Sequence, residues 1–268
     1  DPDLVALVER PFASVDEAHD RLRDLEMRLR AAGDRRAVFL TVYTRMTATV
    51  RDAVDDGRFA DSAWMRRYTV TFADHYRRAF LAFERGDFRL VPDPWRVAFG
   101  TAVEGTALVA QDAVLGINAH VNYDLALTLR DVGIDPERGE KRADHRRIDD
   151  VIAGLVDAQQ AALAELYAPG VADLDASLGR LDERLSLRSM TEGRAGAWRV
   201  AAALTDVGWA PARRSIRWFH RTTATGAALF VRSPAIDPAL LASLLRAERE
   251  QVALNDALSL LAARIDAR

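Results

Sequence analysis

The stretch Leu115-Gly116-Ile117-Asn118-Ala119-His120-Val121-Asn122-Tyr123-Asp124-Leu125 has neither the alternation of a strand nor a single apolar stripe. At about 100° per residue on a helix, Asp112, Gly116, His120, Tyr123 and Asp124 share one side, and Leu115, Asn118, Asn122, Leu125 and Leu129 share the opposite side. Apolar residues occur all round, which is the pattern of a helix packed on every face. The stretch is therefore expected to be the buried central helix of an all-α protein. The simplest architecture is a single multi-helix, bundle-like domain over residues 1–268.

The flanking sequence reads as helix after helix. Ser14 with Glu17 three residues on is a capping box, opening a helix to about Ala32. Val38, Val42, Met46 and Val50 recur at helical spacing through about Asp56. Asp61 or Ser62 starts a helix to about Arg85. Asp93 suits an N-cap and Pro94 the first turn of the helix that leads into the central stretch and on to about Arg130, with an interruption near Gly105. Residues 131–143 are polar, contain Gly133, Pro136 and Gly139, and read as a loop. Asp144 is the expected cap of a helix over 144–167. Further helices are expected over 172–185 and 187–206, from Pro211 to Val231, and as one long final helix from Pro238 to Ile265. Alternating Val, Ile and Thr runs bounded by turns are missing, so no sheet is expected.

Composition narrows the functional classes. The 268 residues carry 37 basic and 40 acidic side chains, a net charge of −3, and no cysteine. Disulfides, thiolate metal sites and cysteine nucleophiles are thereby removed, in keeping with a reducing, cytoplasmic setting. The charge balance argues against nucleic acid as a partner. No run approaches the roughly 20 uncharged apolar residues of a transmembrane segment. Lys141 is the only lysine beside 36 arginines, a codon bias of GC-rich genomes. The glycine motifs of nucleotide sites, the serine-hydrolase elbow and H-E-x-x-H are absent.

The candidate chemistry lies with the histidines. Each unpaired polar group on a buried helix costs about 1–3 kcal/mol, so His120, Asn118, Asn122 and Asp124 form either a satisfied structural network or a working site. His120 and Asp124, one turn apart, can share a divalent metal such as zinc or iron, or Asp124 can fix the imidazole tautomer for base catalysis. Asn118 and Asn122 would position substrate or hold the helix by hydrogen bonds. His145 and Asp149 repeat the H-x-x-x-D pattern, and His75 joins them as a third inward imidazole, so His120, Asp124, His75, His145 and Asp149 are the candidate metal ligands. Trp64, Tyr68 and Phe72 form an aromatic stripe that serves as core or as pocket lining, with Tyr123 nearby. Arg213 and Arg217, with His220, share a helix face able to clamp a carboxylate or phosphate.

These residues also carry a resemblance. Phe72-Ala73, Trp95-x-x-Ala98-Phe99, the Leu115–Leu125 stretch, Asp144-x-x-x-Ile148-Asp149 and Glu192 through Trp198 resemble a family known as a domain of unknown function, number 5995 in that series. The likeness covers roughly residues 60–200. His145 and Asp149 stand where that pattern has Phe and Asn. The resemblance implies no activity or ligand set; it directs attention to Asn118, His120, Asn122 and Asp124. A looser likeness, at the level of the fold, is to helical zinc-dependent phospholipases and nucleases.

The expected function is that of an enzyme acting on a small, largely apolar molecule by hydrolysis, elimination or cyclisation, through His/Asp acid–base or metal-assisted chemistry. The alternative is a non-catalytic helical binding or scaffolding protein, self-associating or not, whose polar helix network only fixes packing. A concave pocket reaching His120 separates the first from the second.

Overall fold

Local signals set most helix ends. The computed structural model describes residues 1–167, 187–233, 238–251 and 253–267, and among these the chain is helical with no strand. Helix α1 spans Pro2–Val8 and α2 Val15–Ala31. Ser14 caps α2, its hydroxyl accepting the Glu17 N–H at 3.1 Å, and the Glu17 carboxylate accepts the Ala13 N–H at 2.8 Å. Helix α3 covers Ala37–Asp55 and α4 Ser62–Glu84, the latter capped by the Asp61 carboxylate on the Trp64 N–H at 2.8 Å. Then come α5 (Asp93–Glu104), α6 (Val109–Ala119), a π-helical turn (His120–Asp124), α7 (Leu125–Val132) and α8 (Arg138–Tyr167). The rest is α9 (Leu187–Asp206), α10 (Ala210–Arg232), α11 (Pro238–Gln251) and α12 (Leu254–Asp266).

Several ends differ from the sequence reading. Pro92 is the N-cap of α5, with Asp93 the first helical residue. The expected loop at 131–143 is shorter, because α8 begins at Arg138. Tertiary bonds hold its polar first turns: Lys141 donates to the Pro136 carbonyl at 2.7 Å, and the buried Asp144 carboxylate accepts from the Ala60 and Asp61 N–H groups at 2.9 and 2.8 Å. Asp144 is thus a mid-helix residue that fixes the chain entering α4, not the cap of its own helix. The long final helix is two, α11 and α12, separated at Ala253, which is extended. Leu258, Leu261 and Ile265 of α12 are buried, and α12 packs on α3 and α8. The helix expected at 172–185 and the Asp237 cap lie outside the described residues.

Every residue of α6 is buried, as its all-round apolar pattern requires. Helices α3, α5 and α10 pack on it, and one apolar cluster runs from Leu4 to Leu261. Its first turn is held by polar groups from distant helices. The Glu248 carboxylate of α11 accepts the Val109 N–H, at 3.2 and 3.1 Å from its two oxygens, where the helix dipole favours an anion. Gln111 accepts the Leu108 N–H at 2.9 Å and donates to the Val231 carbonyl at 2.8 Å.

Gly116 sets how closely α3 and α6 approach. A Cβ there would lie 2.5 Å from the Phe39 ring and 2.6 Å from its Cβ, so the near end of that side chain would have to move. Alanine gains up to about 1 kcal/mol of helix propensity, but overpacking costs about 1–3 kcal/mol. The Gly116→Ala variant is expected to lose about 1–2 kcal/mol net in chemical denaturation. An unchanged midpoint would show that α3 can slide.

Candidate functional site

The π-helical turn brings His120 and Asp124 together. The Leu125 N–H bonds to the His120 carbonyl, five residues back, instead of continuing the α-helical pattern. Such single wider turns recur at functional sites. Within it His120 Nδ1 lies 3.0 Å from Asp124 Oδ2, and the Trp95 indole N–H donates to the same oxygen at 2.7 Å. A carboxylate is acceptor-only, so the ring carries its proton on Nδ1 and leaves Nε2 with a lone pair. Both side chains are fully buried. His120 Nε2 has no hydrogen-bond partner.

Aromatic rings enclose the imidazole. Phe72 stacks face to face on it, with centroids 3.6 Å apart and planes 9° apart, and Tyr43 meets it edge-on at 4.5 Å. Phe39 and Trp95 complete the surround at 5.6 and 5.9 Å. Burial lowers the His120 pKa below its ordinary value, against an upward pull from Asp124. Burial likewise raises that of Tyr43 far above the usual phenol range. At neutral pH the site therefore holds a neutral imidazole beside a protonated phenol.

His120, Phe72 and Tyr43 form part of the wall of a cavity of about 70 Å³. The remaining lining is mostly apolar, with Val42, Met46, Val50, Ile117, Ile152 and Met190 prominent. Tyr68 and Arg194 belong to the wall as well. They head a second polar cluster. Tyr68 Oη is 2.9 Å from His145 Nδ1, and His145 Nε2 is 3.1 Å from the Arg194 carbonyl. The carbonyl can only accept, so Nε2 carries the proton and the Tyr68 hydroxyl donates to Nδ1. Arg194 Nε donates to Asp149 at 2.6 Å. Burial, then the Arg194 charge, push the His145 pKa well below its usual value; burial pushes the Tyr68 hydroxyl up to about 12.

The five candidate metal ligands are not brought together. His120 pairs with Asp124, His145 and Asp149 meet through Arg194, and His75 Nε2 faces Asp131 at 3.2 Å. Among the described residues no three His, Cys, Asp or Glu side chains converge. Asp124 is bonded to His120 Nδ1, on the other side of the imidazole from Nε2.

Asn118 and Asn122 lie apart from the His120 cavity, as their opposite helical phase requires. Asn122 donates to Asn118 Oδ1 at 3.1 Å and Asn118 to the Ala224 carbonyl at 2.9 Å. They fasten the central helix to α10 and border a separate cleft of about 400 Å³. Gly193 of α9 comes so near that a Cβ would sit 2.6 Å from Asn122 Oδ1. Tyr123 stacks on His220 at 5.5 Å, away from the cavity, and its carbonyl accepts from His220 Nε2 at 2.9 Å. Trp64 is core, donating to the Gly133 carbonyl at 2.9 Å. Arg213 and Arg217 are exposed and line neither space.

Sequence reasoning missed Trp95, Tyr43 and Arg194. Trp95 fell in a quoted motif, but nothing local links its indole to Asp124 29 residues away. Tyr43 and Met46 lie among the apolar positions of α3 and read as core.

The tautomers assigned above are directly testable. At pH 7 the imidazole ¹⁵N shifts are expected to show His120 neutral with its proton on Nδ1 and His145 neutral with its proton on Nε2. Protonation of His120 is expected below pH 6.5. A proton found on His120 Nε2 would contradict the site.

An all-α protein with a buried imidazole–carboxylate–indole chain against an apolar cavity is what the fold and geometry define. The chain belongs to a family of unknown function, DUF5995, whose profile matches residues 15–234. No curated protein and no solved structure matches it.

Proposed function

We propose that this protein is an enzyme in which His120 Nε2 accepts a proton from a small, largely apolar molecule, or from water attacking it. The observation that carries the reading is the unpartnered Nε2 of a buried imidazole whose other nitrogen is tied to a carboxylate. Leaving a buried acceptor unpaired costs about 1–3 kcal/mol, and in the neighbouring His145 both ring nitrogens are bonded.

Each neighbour has a role in this scheme. Asp124 fixes the tautomer and stabilises the imidazolium that forms on proton transfer. The Trp95 N–H holds Asp124 in register. Tyr43, edge-on to the imidazole, forms part of the same cavity wall. Apolar walls select a hydrocarbon-rich guest and strengthen charge interactions by excluding water. Phe72, half-buried and stacked on the imidazole, is the side chain whose displacement would admit a ligand to Nε2. Hydrolysis, elimination and cyclisation all need such a base, and a cysteine-free chain fits a cytoplasmic enzyme.

The test is turnover of small apolar esters, lactones and β-substituted carbonyl compounds by the full chain, repeated with His120→Gln. Turnover lost in the variant supports the reading. Turnover that survives it overturns the role of His120.

A further inference from the structure

The cleft between α9 and α10 has the size of a small-molecule site: it measures about 400 Å³, and such pockets hold roughly 300–1,000 Å³. None of the residues that line it lines the His120 cavity. Its wall is partly apolar, with Val200 and Ile216, and carries one charged side chain, Arg199, and no aspartate or glutamate. Arg199 is exposed and, among the described residues, makes neither an ion pair nor a hydrogen bond. Arg217 stands one residue past Ile216 and one turn ahead of His220, both of which line the cleft, and it makes none either. In a chain with 40 acidic side chains for 37 basic ones, two bare guanidiniums at one cleft leave the counter-charge to a ligand.

The other polar groups of the cleft say what else that anion carries. His220 is 8% exposed. Its Nε2 donates to the Tyr123 carbonyl, which leaves the lone pair on Nδ1, and Nδ1 has no partner among the described residues. The amides of the floor are chained: Asn122 donates to Asn118 and Asn118 to the Ala224 carbonyl, so Asn122 Oδ1, at the end, accepts nothing. Only a residue without a Cβ leaves room for that oxygen at position 193, where a Cβ would lie 2.6 Å away. Thr222 and Thr225 turn their hydroxyls back onto the Trp218 and Arg221 carbonyls at 2.8 Å, as helical threonines do. Thr223, which lines the cleft, does not. Two free acceptors, a free hydroxyl and a cation match a ligand with an anionic head and hydroxyl groups.

We propose that the α9–α10 cleft binds a small hydroxylated anion, a polyol carboxylate or phosphate, with its charged head on Arg199 and its hydroxyls on His220 Nδ1, Asn122 Oδ1 and Thr223. Val200 and Ile216 receive the carbon skeleton. This uses no residue of the His120 cavity and stands or falls separately.

The experiment is isothermal titration of the full chain with gluconate, glycerol phosphate, glucose and inorganic phosphate. Saturable one-site binding is expected for gluconate or glycerol phosphate, and the tighter of the two names the anionic head. Glucose lacks the charge and inorganic phosphate the polyol, so each should bind at least about tenfold more weakly. Arg199→Gln should weaken binding of the hydroxylated anion on the order of tenfold, and Thr223→Val by about threefold to tenfold. Arg214→Gln, on another line of α10, should leave it unchanged. All three positions are exposed, and the variants are expected to keep the native melting curve. No binding of either hydroxylated anion, equal binding of glucose, or an affinity unchanged in both Arg199→Gln and Thr223→Val overturns the proposal. So does a loss in Arg214→Gln as large as in Arg199→Gln, which would assign the binding to net charge instead of the cleft.

Discussion

Replacing His120 with Gln is expected to remove turnover while leaving a cooperatively folding protein, because Gln keeps much of the volume and a donor for Asp124 but has no basic nitrogen. General base catalysis contributes on the order of 10²–10⁴-fold, and that is the expected loss. Asp124→Asn should cost a similar factor by another route. The indole N–H of Trp95 occupies the same carboxylate oxygen that faces the ring. An amide oxygen in that place still accepts both donors but carries no negative charge, so the imidazolium formed on proton transfer loses its stabilising partner. Trp95→Phe, which removes one donor and keeps the ring, should cost roughly tenfold. The pH profile separates these from mere packing damage. Activity should rise through a value below 6.5, where His120 loses its proton, and stay flat above it. A His120→Gln protein that melts normally and retains full turnover would place the chemistry elsewhere.

Acid and alkali should affect stability through Asp112. Its carboxylate bonds Arg35 Nε at 2.7 Å through Oδ2, and its Oδ1 is buried without a partner. Desolvation raises its pKa to about 7 from 3.8, with Arg35 opposing and Glu248 and Asp34 adding to the rise. The folded chain therefore holds this proton over a range where the unfolded chain has released it. The contribution to stability is greatest below about pH 4, declines as pH rises toward 7, and levels off above. At about 1.4 kcal/mol per unit, a three-unit difference sets an upper scale of about 4 kcal/mol. Asp112→Asn has no proton to exchange, so its denaturation midpoint should be flatter across this window than that of the native chain. Parallel profiles for the two proteins would show that Arg35 keeps Asp112 ionised.

The two clusters around the cavity show how far local sequence reaches. His120 and Asp124 were legible as partners because four residues bring side chains to one helix face. His145 and Asp149 have the same spacing and do not bond each other: Arg194, from α9, takes the Asp149 carboxylate, and the His145 ring goes to the Tyr68 hydroxyl and the Arg194 carbonyl. Spacing specifies which groups are neighbours, and tertiary packing specifies which of them bond. The same limit applies to the metal candidates, whose helices place His75, His120 and His145 with three different partners.

Sequence by itself determined that the chain is helical, that the Leu115–Leu125 stretch belongs to a buried central helix, and which faces of that stretch carry His120 and the asparagines. Periodicity and capping are short-range properties, fixed by side chains a turn apart. Only the tertiary structure decided that Trp95 completes the His120–Asp124 chain and that Nε2 remains unpartnered beside an apolar cavity. Each depends on what a distant segment supplies or fails to supply. A buried polar atom is satisfied or orphaned by its neighbours in space, about which its neighbours in sequence carry no information.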